Sequence, residues 1–394
     1  MTAASHDNGQ TLRAGFIPLV DAAPLIVAVE RGFAAEEGLD IALVREVSWS
    51  NVRDKLNLGL FDAAHLLAPV SISSSLGFGH VKVPIVVPFT LTMNGNAITV
   101  SAALHAEIMA EVDGNPRDPL VTAKALARVV AARRRRGAPM LTFGMTFPFS
   151  THNYQLRYWM AGGGVDPDED VRMVVLPPPF MVDSLASGHV DGFCVGAPWN
   201  SVAVDGGFGR ILHFVSDLFK RAAEKVLAVR QTWSEANPQT LAALIRALDR
   251  AATFIAAPAH HGEVAALLSR PDLIGVDPEV IQRTLAGRLK VAPDGRVADD
   301  PRYMLVGREG ASRPEPLQAA WLYAQMVRWG QATQSADALT VASRVFRPEL
   351  YDAAVDRPPV AVPNLPADGL GAFTGPAFDP ADVAGYLAAF PKLR

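Results

Sequence analysis

Two stretches of the chain share one pattern: LNLGLFDAAHLLAP at Leu56–Pro69 and LASGHVDGFCVGAP at Leu185–Pro198 carry Leu, Gly, Asp and Pro at matching positions. Their aspartates, Asp62 and Asp191, are 129 residues apart. Around each stretch the apolar pattern predicts a strand, a helix, a second strand, another helix ending at Gly, and a third strand opening at the Asp. Because strands that alternate with helices form parallel α/β units, the sequence predicts two such units.

The second unit has an unusually polar helix start in the stretch MTFPFSTHN at 145–153. Ligands of open α/β sheets bind beyond the carboxyl ends of the strands, near helix N-termini, so two facing units would enclose a cleft. Ser150, Thr151 and His152 could simply over-cap the helix, or they could add donors to an anion site. Since the offset of 129 places Ala23 opposite His152, the fold itself does not require these side chains, and capping explains only one hydroxyl.

Composition excludes several classes of protein. The chain has 394 residues, a net charge of −4 and one cysteine, Cys194. This charge gives no general reason to bind nucleic acid or an anionic membrane, and the run Arg133–Arg136 is interpreted as a solvated helix end or a contact for an acidic partner. A single cysteine excludes an intramolecular disulfide, and no HxxxH or Glu-x-x-His spacing indicates a metal site, so we expect no metal and no cofactor.

The N-terminal sequence lacks the basic segment and apolar stretch of an export signal. No later run of about 18 uncharged apolar residues could span a membrane. On these grounds we expect a cytoplasmic protein without a membrane partner.

Four long strings carry a resemblance to a known family: TFPFSTHNYQLRYWMAGGGVDPDEDV, VVLPPPFMVDSLASGHVDGFCVGAPWN, SWSNVRDKLNLGLFDAAHLLAP and WLYAQMVRWG. They resemble the nitrate and bicarbonate solute-binding family of ABC transporters, from about Leu12 to Trp329. The resemblance implies an α/β, bilobed type II periplasmic-binding-protein-like fold with two parallel-sheet lobes around a central cleft.

The predicted organisation divides the chain into four segments. Lobe one takes residues 12–92, lobe two takes 93–204, and residues 205–346 return to lobe one with a helical extension. Residues 347–394, rich in Pro and Gly, are predicted to wrap around the core in extended form, with a short last helix beginning at Asp379-Pro380.

The resemblance also implies a function. Without an export signal the chain looks like the branch of cytoplasmic nitrate/nitrite sensors that hold an RNA-binding ANTAR-type antiterminator, released through ligand-dependent lobe closure. The alternative is a solute-binding receptor of a nitrate or bicarbonate ABC transporter. An enzyme that uses Cys194 and His152 as a thiol–imidazole pair is the least favoured, because Cys194 lies inside an apolar strand.

The family's anion contacts correspond to particular residues of this chain. Nitrate is a planar anion with three acceptor oxygens, so its site needs a cation, directed donors and a flat wall. By resemblance the contacts are Trp49, Asn96, Thr151, His152 and Lys225. Asn96 departs from the family, which commonly has Gln there.

Glu224 and Lys225 are adjacent, and this raises a question of register. In the family, bicarbonate-binding members place an acidic residue where nitrate-binding members have lysine, so that a divalent cation can bridge carboxylate and carbonate. Neighbouring side chains of a strand point to opposite faces, so only one of these two is expected to face the cleft. We predict that it is Lys225.

Overall fold

The computed structural model describes residues 11–358, 360, 362 and 365–391. Its strands are β1 (Leu12–Phe16), β2 (Ile41–Arg45), β3 (Ala63–Leu67), β4 (Ile85–Asn94), β5 (Asn96–Ser101), β6 (Thr142–Met145), β7 (Arg172–Val175), β8 (Gly192–Gly196), β9 (Gly209–Phe214), β10 (Ala223–Arg230), β11 (Arg288–Lys290), β12 (Val297–Asp299) and β13 (Met304–Leu305).

The α-helices include short single turns as well as long amphipathic segments. They are α1 (Ala23–Glu30), α2 (Phe33–Glu36), α3 (Trp49–Asn57), α4 (Ala68–Leu76), α5 (Ala102–Glu111), α6 (Pro119–Arg135), α7 (Thr151–Gly162), α8 (Met181–Ala186), α9 (Trp199–Asp205), α10 (Val215–Leu218), α11 (Gln231–Ala236), α12 (Pro238–Ala256), α13 (His261–Leu268), α14 (Pro278–Ala286), α15 (Pro316–Arg328), α16 (Ala336–Val345), α17 (Pro348–Val355) and α18 (Val383–Ala388).

Two sheets define two lobes. The first has the order β13-β4-β10-β3-β1-β2 and the second has the order β7-β6-β8-β5-β9. In each sheet three strands are parallel, β2-β1-β3 and β7-β6-β8, and the remaining strands pair antiparallel. The bilobed α/β fold is confirmed, and each predicted parallel-sheet lobe has a parallel three-stranded part within a mixed sheet. The added strands, which bring the chain from one lobe to the other and back, lie outside the repeat on which that prediction rested.

The repeat is present in the structure. The third strands, β3 (Ala63–Leu67) and β8 (Gly192–Gly196), begin and end 129 residues apart. The aspartate before each strand has the same role, because an Asp62 Oδ atom accepts a hydrogen bond from the Arg13 amide at 2.9 Å and Asp191 accepts one from the Thr142 amide at 2.8 Å. The aspartate therefore joins the start of the third strand to the first strand in each lobe.

Three predicted boundaries differ from the structure. Strand β9 belongs to the second sheet, so that sheet extends beyond the boundary predicted at residue 204. Residues 348–355 form helix α17, although the tail was predicted to be extended from 347, because Pro348 at the first turn is compatible with a helix start. The last helix begins at Val383 rather than at Asp379, and Asp382 caps it by accepting the Gly385 amide at 2.8 Å. The tail prediction at 359, 361, 363–364 and 392–394 lies outside the described residues.

Replacing Asp191 with alanine should lower the free energy of unfolding by about 1 kcal/mol, because the half-buried Thr142 amide loses its side-chain acceptor. Urea unfolding at pH 7 measures this change. Asp183→Ala is the matched control, since its exposed carboxylate accepts no side-chain hydrogen bond within the described part of the chain. Equal unfolding midpoints for the two variants would contradict the assigned role.

Candidate functional site

Lys225 lies on β10 in the middle of the first sheet, between β3 and β4, and is fully buried. Its Nζ atom is 2.9 Å from Asp21 Oδ2 and 2.9 Å from Glu224 Oε1. Burial alone would lower the pKa of Lys225, but the charges of Asp21 and Glu224 outweigh it and raise the pKa. The first lobe therefore presents a permanent buried ammonium.

Glu224 faces the same cluster as Lys225, which corrects the prediction that only one of them could face the cleft. The pairing of β10 with β4 shifts register here: Ala223 lies opposite Met93 and Lys225 lies opposite Thr92, so Glu224 has no partner on β4. Such a bulge breaks the alternation of the strand and lets two consecutive side chains share one face. Both an ammonium and a carboxylate consequently point between the lobes.

The polar start of α7 faces Glu224 from the second lobe. Ser150 caps the helix by accepting the Asn153 amide at 3.1 Å, which leaves Thr151 and His152 without a capping role. The Thr151 hydroxyl donates to Glu224 Oε2. His152 Nδ1 lies 3.0 Å from Thr146 Oγ1 and 3.4 Å from Glu224 Oε1.

His152 is fully buried, and its Nε2 atom has no hydrogen-bond partner among the described residues. Burial lowers its pKa to about 4, although the charge of Glu224 opposes the shift. The imidazole is therefore neutral at pH 7 and has one ring nitrogen available for a ligand.

Trp49, the first residue of α3, forms a wall of the cluster. Its ring centroid is 5.5 Å from Lys225 Nζ, and the ring packs edge-on against His65 with centroids 5.2 Å apart. The indole Nε1 is buried and has no hydrogen-bond acceptor within the described part of the chain. A flat ring with an unused donor beside a cation suits a planar oxyanion.

Asn96 reaches the cluster through another side chain. It donates from Nδ2 to Gln155 Oε1 at 2.9 Å, and Gln155 Nε2 lies 3.5 Å from Glu224 Oε2. Cys194 Sγ lies 3.6 Å from the same Gln155 oxygen. Burial raises the pKa of Cys194, so it is a neutral thiol and not a nucleophile.

The sequence interpretation missed Asp21 and His65, which complete the first-lobe side of the cluster. His65 Nε2 is 2.9 Å from Asp21 Oδ1, and His65 Nδ1 accepts the Ile17 amide at 3.4 Å. Burial alone would raise the pKa of Asp21, but Lys225 and His65 outweigh it and lower the pKa to about 2. The internal repeat could have indicated both residues. An offset of 129 places Asp21 opposite Ser150, at the predicted helix start of the second unit, and His65 opposite Cys194.

The structure thus brings all five predicted residues into one connected cluster between the lobes. Trp49 and Lys225 come from the first lobe, and Asn96, Thr151 and His152 come from the second. Each is at most 1% exposed, so a ligand can enter only when the lobes separate. That these residues bind an anion remains a prediction.

The basic run at the end of α6 lies away from this cluster. Arg133 and Arg136 pair with Glu107, and Arg134 pairs with Asp170. Three of the four arginines are therefore engaged by carboxylates of the same lobe.

The described residues form no group of three or more His, Cys, Asp or Glu side chains arranged to hold a metal ion. None of the helices formed by these residues combines the length and apolar character needed to cross a bilayer.

Two lobes that converge on a buried polar cluster define a periplasmic-binding-protein-like solute-binding fold. Comparison with proteins of known family and structure gives the same class. Residues 5–269 match the NMT1-like family, and the chain belongs to this family. The family and the relatives described below group the chain with solute-binding proteins rather than with enzymes.

The relatives are transport proteins. The chain is 31% identical to the nitrate/nitrite binding protein NrtA of Synechococcus elongatus over 98% of its own length and 86% of that protein. It is 33% identical to the nitrate import ATP-binding protein NrtC of Synechocystis, of which it spans about half, 55%. The crystal structure of periplasmic NrtA from Synechocystis superimposes with a TM-score of 0.85 at 28% identity, covering 97% of this chain and 98% of that one.

Proposed function

We propose that this chain binds nitrate or nitrite between its two lobes. The observation that carries the proposal is the buried Lys225 ammonium facing the start of α7, where Thr151 and His152 are not needed for capping. The Trp49 Nε1 donor and the His152 Nε2 atom belong to the same cluster and have no hydrogen-bond partner among the described residues. These groups supply the cation, the directed donors and the flat wall that a trigonal oxyanion requires.

Lobe closure follows from where the contacts originate. Because the anion contacts groups of both lobes, it binds the closed arrangement more tightly and shifts the population towards it. The direct contacts between Glu224 of the first lobe and Thr151 of the second already join the lobes at this point.

Two biological roles use this closure. The NrtA relatives support a receptor that delivers its anion to an ABC transporter. The other role is a cytoplasmic sensor that releases an RNA-binding ANTAR-type antiterminator, and it rests on the sequence resemblance alone. A pull-down from the native host separates them: transporter subunits identify a receptor, and an RNA-binding regulator released by nitrate identifies a sensor.

Calorimetric titration of the intact chain with nitrate, nitrite and bicarbonate, each with and without calcium, tests the binding proposal. We expect nitrate or nitrite to bind without calcium. Some relatives are bicarbonate transport proteins, and binding of bicarbonate only in the presence of calcium would replace the nitrate proposal.

His152→Ala should weaken nitrate binding roughly tenfold to 150-fold at pH 6, because a hydrogen bond to a charged group is worth about 1.5–3 kcal/mol. The fold should persist, since Ser150 still caps α7. Titration of the variant, with circular dichroism to verify folding, measures the change. Unchanged affinity in a folded variant would show that His152 has only a structural role.

A further inference from the structure

The buried cluster holds more negative than positive charge. We propose that the chain takes up one proton with each oxyanion it binds, and that the imidazole of His152 holds this proton. The inference rests on the proposed function and deepens it.

Hydrogen bonds to Glu224 and ion-pair contacts of Asp21 identify two carboxylates. Glu224 Oε1 accepts from the Lys225 ammonium at 2.9 Å, and Glu224 Oε2 faces the Gln155 amide nitrogen, which can only donate, at 3.5 Å. Asp21 lies between Lys225 Nζ and His65 Nε2, 2.9 Å from each. Glu224 therefore acts as an acceptor and Asp21 is held by ion-pair contacts, so one ammonium stands against two carboxylates.

His65 cannot supply a second positive charge. Its Nδ1 atom accepts the backbone amide of Ile17, so that nitrogen carries no hydrogen, and its single hydrogen lies on Nε2 towards Asp21. Protonating Nδ1 would break the contact with Ile17 inside the core. With His152 neutral as well, the cluster has a net charge of −1, and a bare monoanion would raise it to −2.

Protonation of His152 would add the positive charge that the cluster needs when an anion binds. Its Nδ1 atom lies 3.0 Å from Thr146 Oγ1 and 3.4 Å from Glu224 Oε1, and its buried Nε2 atom has no partner among the described residues, so the imidazolium charge would lie beside Glu224 while Nε2 donates to the oxyanion. The remaining titratable groups around the cluster are Cys194 on β8 and Tyr303 before β13, and burial raises the pKa of both. Both groups are therefore already protonated, and neither can accept another proton.

The sign of the pH dependence follows. In the free protein burial lowers the pKa of His152 to about 4, and a bound anion raises it by stabilising the imidazolium. Between these two pKa values the affinity falls tenfold for each unit by which pH rises. The binding of nitrate should therefore weaken steadily from pH 5 towards neutrality.

Calorimetry of the intact chain with nitrate tests this at pH 6 in Bis-Tris and imidazole buffers, which differ in ionisation enthalpy. The dependence of the observed heat on that enthalpy gives the number of protons bound, and we expect about one. Glu224→Gln removes one negative charge, so it should bind nitrate with about zero protons and with little pH dependence. His189→Gln, an exposed histidine of the same lobe, is the control and should retain one proton.

The possible results separate the proton-uptake inference from the proposed function. Nitrate binding by the wild type with no proton uptake overturns this inference and leaves the proposed function intact, whereas absence of binding at every pH overturns the proposed function itself. Proton uptake that persists in His152→Gln would place the proton on another group and also overturn it. If Glu224→Gln does not fold, His152→Gln gives the same test, because it should bind weakly and without a proton.

Discussion

Replacing Lys225 with methionine should weaken nitrate binding at least about thirtyfold. The ammonium is the only positive charge among the described residues of the cluster, and truncating a buried charge that binds an ion costs about 2–5 kcal/mol. Calorimetric titration without calcium measures the loss. Lys124→Met is the matched control, because this lysine is exposed on α6 and forms no ion pair within the described part of the chain.

The same substitution leaves Asp21 and Glu224 facing one another without a cation, so it should also destabilise the fold by about 3–5 kcal/mol. The double variant Lys225→Met/Glu224→Gln separates the two effects, because it removes one uncompensated carboxylate and should recover much of the stability without recovering affinity. Lys225→Glu should likewise abolish calcium-free nitrate binding. A folded Lys225→Met variant with normal affinity would contradict the assignment of this residue.

The free energy of unfolding should fall by about 3 kcal/mol between pH 7 and pH 4 because of His152 alone. Its pKa is about 4 in the folded protein and 6.5 when unfolded. A depressed folded pKa means that the stability is fully present above pH 6.5 and is lost as pH falls towards 4, because the unfolded chain binds the proton first. Burial also lowers the pKa of His65, which adds loss in the same direction.

Urea unfolding at pH 7, 5.5 and 4 in chloride buffers, without nitrate, measures this dependence. His152→Gln should show a flatter profile than the wild type, and His189→Gln should follow the wild type. Asp21 does not contribute in this range, because the pKa of about 2 moves its effect below pH 3.8. Parallel profiles for the wild type and His152→Gln would show that the imidazole is not held neutral by burial.

The internal repeat made much of the fold predictable. Periodicity and the offset between Asp62 and Asp191 define the three parallel strands of each lobe, since a strand that opens at an aspartate recurs with the same backbone contact. The antiparallel strands β5 and β9 were not predictable in this way. Their partners are distant in sequence, and apolar runs do not reveal direction.

The candidate site was predictable on its second-lobe side. The crowded start of α7 contained more polar side chains than one cap can use, and Thr151 and His152 do turn towards the other lobe. Glu224 was missed because a bulge is a property of pairing with β4, which alternation along β10 cannot show. Asp21 was missed because a lone acid near a strand end usually remains in water.

Diffraction from crystals grown with sodium nitrate would show where the anion binds. We expect trigonal planar density between the lobes, within hydrogen-bond distance of Lys225 Nζ and His152 Nε2 and beside the Trp49 ring. Closed lobes without such density in nitrate-saturated crystals, or density at a position remote from Lys225, would contradict this expectation.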